Sequence, residues 1–206
     1  TPIVFAFVLG LALLLMLATF RSIVIPIKAI GLNLLSVGAA YGVLKLVFQD
    51  GHGESVLGFE SNGAVTTWLP LFLFVILFGL SMDYHVFILS RIREAWKSGM
   101  SSEQAVAHGI KTTAGTITSA AIIMVVVFAE FATHSSLDTK QMGVGLAFAI
   151  FVDATIIRGV LLPATMKLLG DWNWYLPRWL QWIPELYHEG GSSAPKKAPR
   201  LVPQPA

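Results

Sequence analysis

Residues 68–90 read WLPLFLFVILFGLSMDYHVFILS. From Leu69 to Leu80 the run holds no charged side chain, and its apolar positions do not alternate with polar ones. Such a stretch predicts a membrane-crossing helix. The hydrocarbon core takes about 20 helical residues, and barrel strands would alternate with a period of two. Inside this span stands Asp83, followed at once by Tyr84. It lies roughly 14 residues past the outer edge of the span, about 21 Å at 1.5 Å per residue. A carboxylate at that depth costs roughly 2.5–3.5 kcal/mol even on the lenient insertion scale. It is therefore expected to face protein or water, and to mark an ion or proton path. The Tyr84 hydroxyl both donates and accepts, and it points about 100° away from Asp83, toward a neighbouring helix.

The rest of the chain has the same character. Of 206 residues, 55% are hydrophobic and 13% charged, and the mean hydropathy is +0.70, which is membrane composition. A net charge of +2 is too small to imply nucleic acid. No cysteine is present, and the histidines (His52, His85, His108, His134 and His188) show no ligand spacing, so no metal site or other cofactor is expected. There is no His-Glu-x-x-His, no Gly-x-Ser-x-Gly and no pair of acids on one helix, and no enzymatic activity is expected.

Five segments are long enough to cross a bilayer: about 2–20, 24–48, 67–90, 112–131 and 142–168. The fold expected is an all-α integral membrane bundle over 1–168. The first run lacks a basic leader and a small-residue cleavage site, and reads as a full span entered partway along a longer chain. Arg21, Lys28, Arg91, Arg93, Lys97, Lys111, Lys167, Arg178, Lys196, Lys197 and Arg200 gather on one side. The other side has Lys45, Lys140 and the acidic 50–66 loop. Positive residues stay inside, which predicts an outside N-terminus and a cytoplasmic C-terminus. Residues 91–111 read as a cytoplasmic connector, in which Ser101 and Gln104 form a capping box for a short helix. Residues 169–189 hold four of the six tryptophans, Trp172, Trp174, Trp179 and Trp182, and read as an interfacial segment anchored at the headgroups. Residues 190–206, rich in Pro, Ser and Lys, read as a disordered tail.

Two more ionisable residues lie deep in a span, Asp153 and Arg158. Five residues make about 500° of α-helical turn, so the two are expected on different faces, each pairing with another helix. In the fourth span Thr112, Thr116 and Ser119 fall on one stripe. Their hydroxyls either hold water near a carboxylate or bond their own helix and pack against a neighbour. His85, two positions from Asp83, faces away from it.

Three stretches, GLSMDYHVFILSRIREAW, TAGTITSAAIIMVVVFAEF and GVGLAFAIFVDATIIRGVLLPATMKLLGDWNWYLP, together resemble the C-terminal membrane half of MMPL-type transporters (mycobacterial membrane protein, large) of the resistance–nodulation–division superfamily. The short FRSIVIPIKA turn fits as well, and the likeness runs over about 1–184. It implies a protein of twelve spans in two related halves, each with one span, a large external domain and five clustered spans. This chain would correspond to the last five. It implies that Asp83 and Tyr84 form one half of a proton relay whose counterpart is in the N-terminal half. It implies that Asp153 and Arg158 match the DATxxR signature of the last span as pore-side polar residues. The family resemblance further implies a bacterial plasma (inner) membrane location and proton-driven export of lipids or other hydrophobic compounds, with the proton as coupling ion. The alternative is a five-helix lipid-binding bundle like the sterol-sensing domain. A lipid sensor has less need of a midplane acid.

Overall fold

The computed structural model describes residues 2–177 and 180. Among them there is no β-strand, and five helices are long and apolar enough to span a membrane. The protein is an all-α membrane bundle.

Helix α1 (Pro2–Phe20) buries only Ala12, Met16 and Phe20 and turns most of its apolar surface outward. Arg21, at φ 47°, adopts the left-handed conformation that reverses the chain into α2 (Val24–Leu44). A π-helical segment (Lys45–Gln49) ends that span. A loop with a short helix α3 (Glu54–Leu57) follows, then α4 (Leu69–Lys97) and α5 (Ser102–Glu130). The last span is one continuous rod. It comprises α6 (Leu137–Val152), a second π segment (Asp153–Leu161) and α7 (Leu162–Leu169), with a 3-10 turn (Gly170–Trp174) at its end.

The expected connector over 91–111 is not a separate piece. Residues 91–97 continue α4 and residues 102–111 begin α5, leaving four residues between the helices. Charges end the apolar run but not the helical hydrogen bonding, because Arg, Glu and Lys are good helix formers. The chain turns only at Gly99 (φ 100°), and the Ser101–Gln104 capping box then starts α5 directly. Close packing follows from glycine. A Cβ on Gly109 of α5 would sit 2.9 Å from the Ile92 backbone nitrogen of α4. One on Gly143 of α6 would sit 2.7 Å from the Phe128 carbonyl oxygen of α5.

Two apolar cores stack along the bundle. One includes Leu44, Phe48, Leu73, Phe74, Phe78 and Leu146. The other includes Phe20, Ile25, Ile88, Ile92, Leu162 and Met166. Between them lies a buried polar layer: Asn33 and Ser36 of α2, Ser81 and His85 of α4, and Asp153 and Arg158 of the second π segment. The 50–66 loop is fastened to the start of α6. The Lys140 ammonium donates to the Leu57 and Gly58 carbonyls, and Gln141 bonds the backbone of Ala64 and Thr66.

The aromatic segment docks through its first residues. Asn173 is fully buried, donates its amide to the Met166 and Gly170 carbonyls at 2.7 and 2.6 Å, and accepts from the Lys28 ammonium at 3.1 Å. Its carbonyl accepts from Ser22 at 2.6 Å, and Trp174 stacks on Trp96 with ring centroids 4.8 Å apart. Trp172 stays exposed. The remaining tryptophans of that segment, Trp179 and Trp182, and the tail over 190–206 lie outside the described residues.

Candidate functional site

The centre of the polar layer is an ion pair. The Arg158 guanidinium donates to Asp153 Oδ2, and both side chains are more than nine-tenths buried. Asp153 Oδ1 accepts from Ser81 Oγ at 3.1 Å and from Ser36 Oγ at 3.3 Å. Arg158 also donates to the Ser81 carbonyl at 3.0 Å, and its guanidinium lies 4.6 Å from the centroid of the Tyr84 ring. This corrects the expectation from α-helical spacing. Asp153 and Arg158 do not point to separate partners but pair with each other. The reason is local. In a π-helix the hydrogen bond runs from residue i to i+5, so residue i+5 stacks close above residue i. That pattern is present here in the bond from the Leu162 N–H to the Ile157 carbonyl.

Helix α4 carries two polar faces. Ser81 and His85, one turn apart, point inward. His85 is wholly buried with Nδ1 3.1 Å from the Ser81 carbonyl, so a proton on Nδ1 makes that bond. Leu80, Asp83, Tyr84 and Phe87 share the opposite stripe. Asp83 is exposed there and meets no partner among the described residues. Tyr84 is half-buried beside it. Its hydroxyl reaches 3.6 Å from Met124 Sδ on α5, the neighbouring helix.

Thr112, Thr116 and Ser119 are exposed on α5, away from the polar layer, and the Thr112 hydroxyl bonds back to the His108 carbonyl at 2.9 Å. The α5 residues that face the layer are Ile117, Ala121 and Met124. Sequence reasoning passed over Asn33, Ser36 and Ser81. The signal available was a pair of polar residues at i and i+3 in the otherwise apolar stretch AIGLNLLSVG, which places Asn33 and Ser36 on one helical face.

A cleft of about 360 Å³, counting its open mouth, leads to this layer. Its floor is Asn33, Ser36, Ser81, Asp153 and Arg158. Half-buried Leu80, Tyr84, Met124 and Ala154 form the mouth.

A multi-pass helical bundle with a buried ion pair at mid-depth and a second, uncovered acid on an outward helix face defines a class of polytopic membrane protein. The chain belongs to the MMPL family, whose model matches residues 2–186. It is 47% identical over 189 residues to the mycolic acid-containing lipids exporter MmpL11 of Mycolicibacterium smegmatis, covering 91% of this chain and 20% of that protein. To the trehalose monomycolate exporter MmpL3 of the same organism it is 40% identical over 186 residues, covering 90% and 18%. To the heme uptake protein MmpL11 of Mycobacterium tuberculosis it is 45% identical over 182 residues, covering 88% and 19%. The chain thus spans about a fifth of the length of these relatives.

Proposed function

We propose that this chain forms the last five spans of a proton-driven exporter of lipids or other hydrophobic compounds, and contributes Asp83 and Tyr84 as one half of its proton relay. The observation that carries this reading is the exposure of Asp83. An ionisable side chain at mid-depth on an open helix face is costly in lipid, so a further protein surface must cover it. The N-terminal half of the transporter, bearing the matching acid and tyrosine, is that surface. The exposed hydroxyls Thr112, Thr116 and Ser119 are further polar lining of the passage, and the Asp153–Arg158 pair, neutral as a pair, is pore-side polar lining behind the relay. The N-terminus is outside and the C-terminus cytoplasmic, in the bacterial plasma membrane. Two of the relatives are named as lipid exporters, and a long-chain lipid with a polar head is the substrate class inferred.

The test is transport by the full-length protein in inverted vesicles with an imposed pH gradient. Asp83→Asn keeps shape and hydrogen bonding but cannot take up a proton, and transport of a fluorescent lipid stops while insertion is unchanged. Tyr84→Phe gives an equal or milder defect. Wild-type rates from Asp83→Asn would overturn the relay. Heme, the cargo in the name of one relative, is offered in parallel, and gradient-driven movement of heme without lipid would overturn the substrate class.

A further inference from the structure

The 3-10 turn that closes the last span builds a second hollow, far along the chain from the polar layer. Trp96 of α4 and Asp171, Trp172, Trp174 and Tyr175 line it. It measures about 630 Å³ counting its open mouth, within the roughly 300–1,000 Å³ of small-molecule sites. Its walls are fixed by the chain itself. Trp174 lies nearly parallel to Trp96 with ring centroids 4.8 Å apart, and Trp172 stacks on Tyr175 at 6.0 Å. The Tyr175 carbonyl accepts from the Ile23 N–H at 3.3 Å, and buried Asn173 holds the turn from within.

The lining has one sign. Asp171 is its one charged group among the described residues, and it is exposed and meets no partner there. Lys167, four residues earlier, is engaged by Glu103 at 2.6 Å. Aromatic faces carry negative potential, so four rings and a free carboxylate attract a cation and repel an anion. A hard metal ion such as calcium takes roughly 6–8 oxygen ligands, and this lining offers one carboxylate and one phenol. An organic ammonium group fits better. The hollow also sits at the end of a membrane span (Leu137–Trp174), where tryptophan favours the headgroup level. Ile156, Val160 and Leu168 are exposed apolar side chains of that span, and Leu168 stands three residues before Asp171. They offer a surface to acyl chains that a soluble amine would not use.

We propose that this hollow binds the primary-ammonium headgroup of a zwitterionic phospholipid in the leaflet at this end of the bundle. The ammonium sits against the aromatic faces and donates N–H bonds to the Asp171 carboxylate. The phosphate stays in solvent at the open mouth, and the acyl chains run along Leu168 and Val160. Because Trp96 belongs to α4 and the other lining residues to the end of the last span, the bound lipid joins the two and holds the turn on the bundle. The site depends neither on the proton relay nor on the export reading.

The experiment titrates the full-length protein in detergent with short-chain phosphatidylethanolamine and follows hydrogen–deuterium exchange over 170–177. Exchange there is expected to slow with a saturable midpoint, while phosphatidylglycerol of the same chain length leaves it unchanged. Equal protection by both lipids would reduce the segment to a general aromatic anchor and overturn the site. Equal protection by free phosphoethanolamine would make the occupant a soluble amine and overturn the lipid. No protection by any of the three overturns the hollow as a binding site. Asp171→Asn is expected to raise the midpoint for phosphatidylethanolamine by about fivefold. Trp172→Leu keeps the apolar bulk but removes a π face, and should weaken binding as well. Both positions are exposed, so neither change threatens the fold. Unchanged midpoints in both variants would overturn the proposal.

Discussion

Asp153 and Arg158, five residues apart, form a buried ion pair because the helix between them is π-wound. The same device recurs at the C-terminal end of α2. There the Asp50 N–H bonds the Lys45 carbonyl, and Lys45 pairs with Asp50 at 2.7 Å across the first π segment. Each π segment among the described residues thus carries an i, i+5 ion pair. In an α-helix the partners would stand about 140° apart. The exposed pair contributes little. The buried one is surrounded by apolar cores, and breaking it leaves a charge with no solvent to receive it.

Arg158→Gln is expected to destabilise the bundle by about 3–5 kcal/mol, because it leaves the Asp153 carboxylate uncompensated. Asp153→Asn combined with Arg158→Gln should recover much of that loss. The check is a double-mutant cycle of apparent Tm in detergent. A double variant as unstable as the sum of the singles would show that the two side chains act separately.

Gly109→Ala should cost about 1–3 kcal/mol by forcing α5 away from the Ile92 backbone. Gly115→Ala, in the same helix with nothing within 4 Å of the added Cβ, is the control and should be neutral or slightly stabilising. Thermal unfolding of both variants in one detergent compares them directly. Equal losses would mean that glycine matters here for helix flexibility rather than for close approach.

Asn173→Ala removes the amide that joins Lys28 to the Met166 and Gly170 carbonyls, at a cost of about 1–3 kcal/mol. The turn Gly170–Trp174 should then lift from the bundle. Hydrogen–deuterium exchange over 170–177 is expected to accelerate, with exchange in α6 unchanged. Unaltered exchange over 170–177 would assign the docking to the Trp96–Trp174 stack instead.

The orientation is open to labelling. In a cysteine-free background, Asn62→Cys and Met100→Cys place thiols in the exposed 50–66 loop and in the turn between α4 and α5. An impermeant maleimide on intact cells should label Asn62→Cys, and Met100→Cys only after permeabilisation. The reverse pattern would invert the topology.

Length and hydropathy determined by themselves that the chain crosses the membrane, and in how many helices. Burying backbone polar groups in lipid leaves the continuous helix as the solution for uninterrupted apolar runs. The Ser101–Gln104 box was legible because capping is a local interaction over four residues. The unusual cost of Asp83 at depth was legible for the same kind of reason, since it depends on position along one helix and not on neighbours. The helical continuation of 91–97 was not, because hydropathy marks where lipid ends and not where a helix ends. The pairing of Asp153 with Arg158 required the π turn, which apolar spacing along the sequence does not mark. The burial of Asn33, Ser36, Ser81 and His85 in one layer depended on helices meeting at one level between two apolar cores. Spacing along a single helix can place residues on a face, but only the packing of the bundle decides which faces meet.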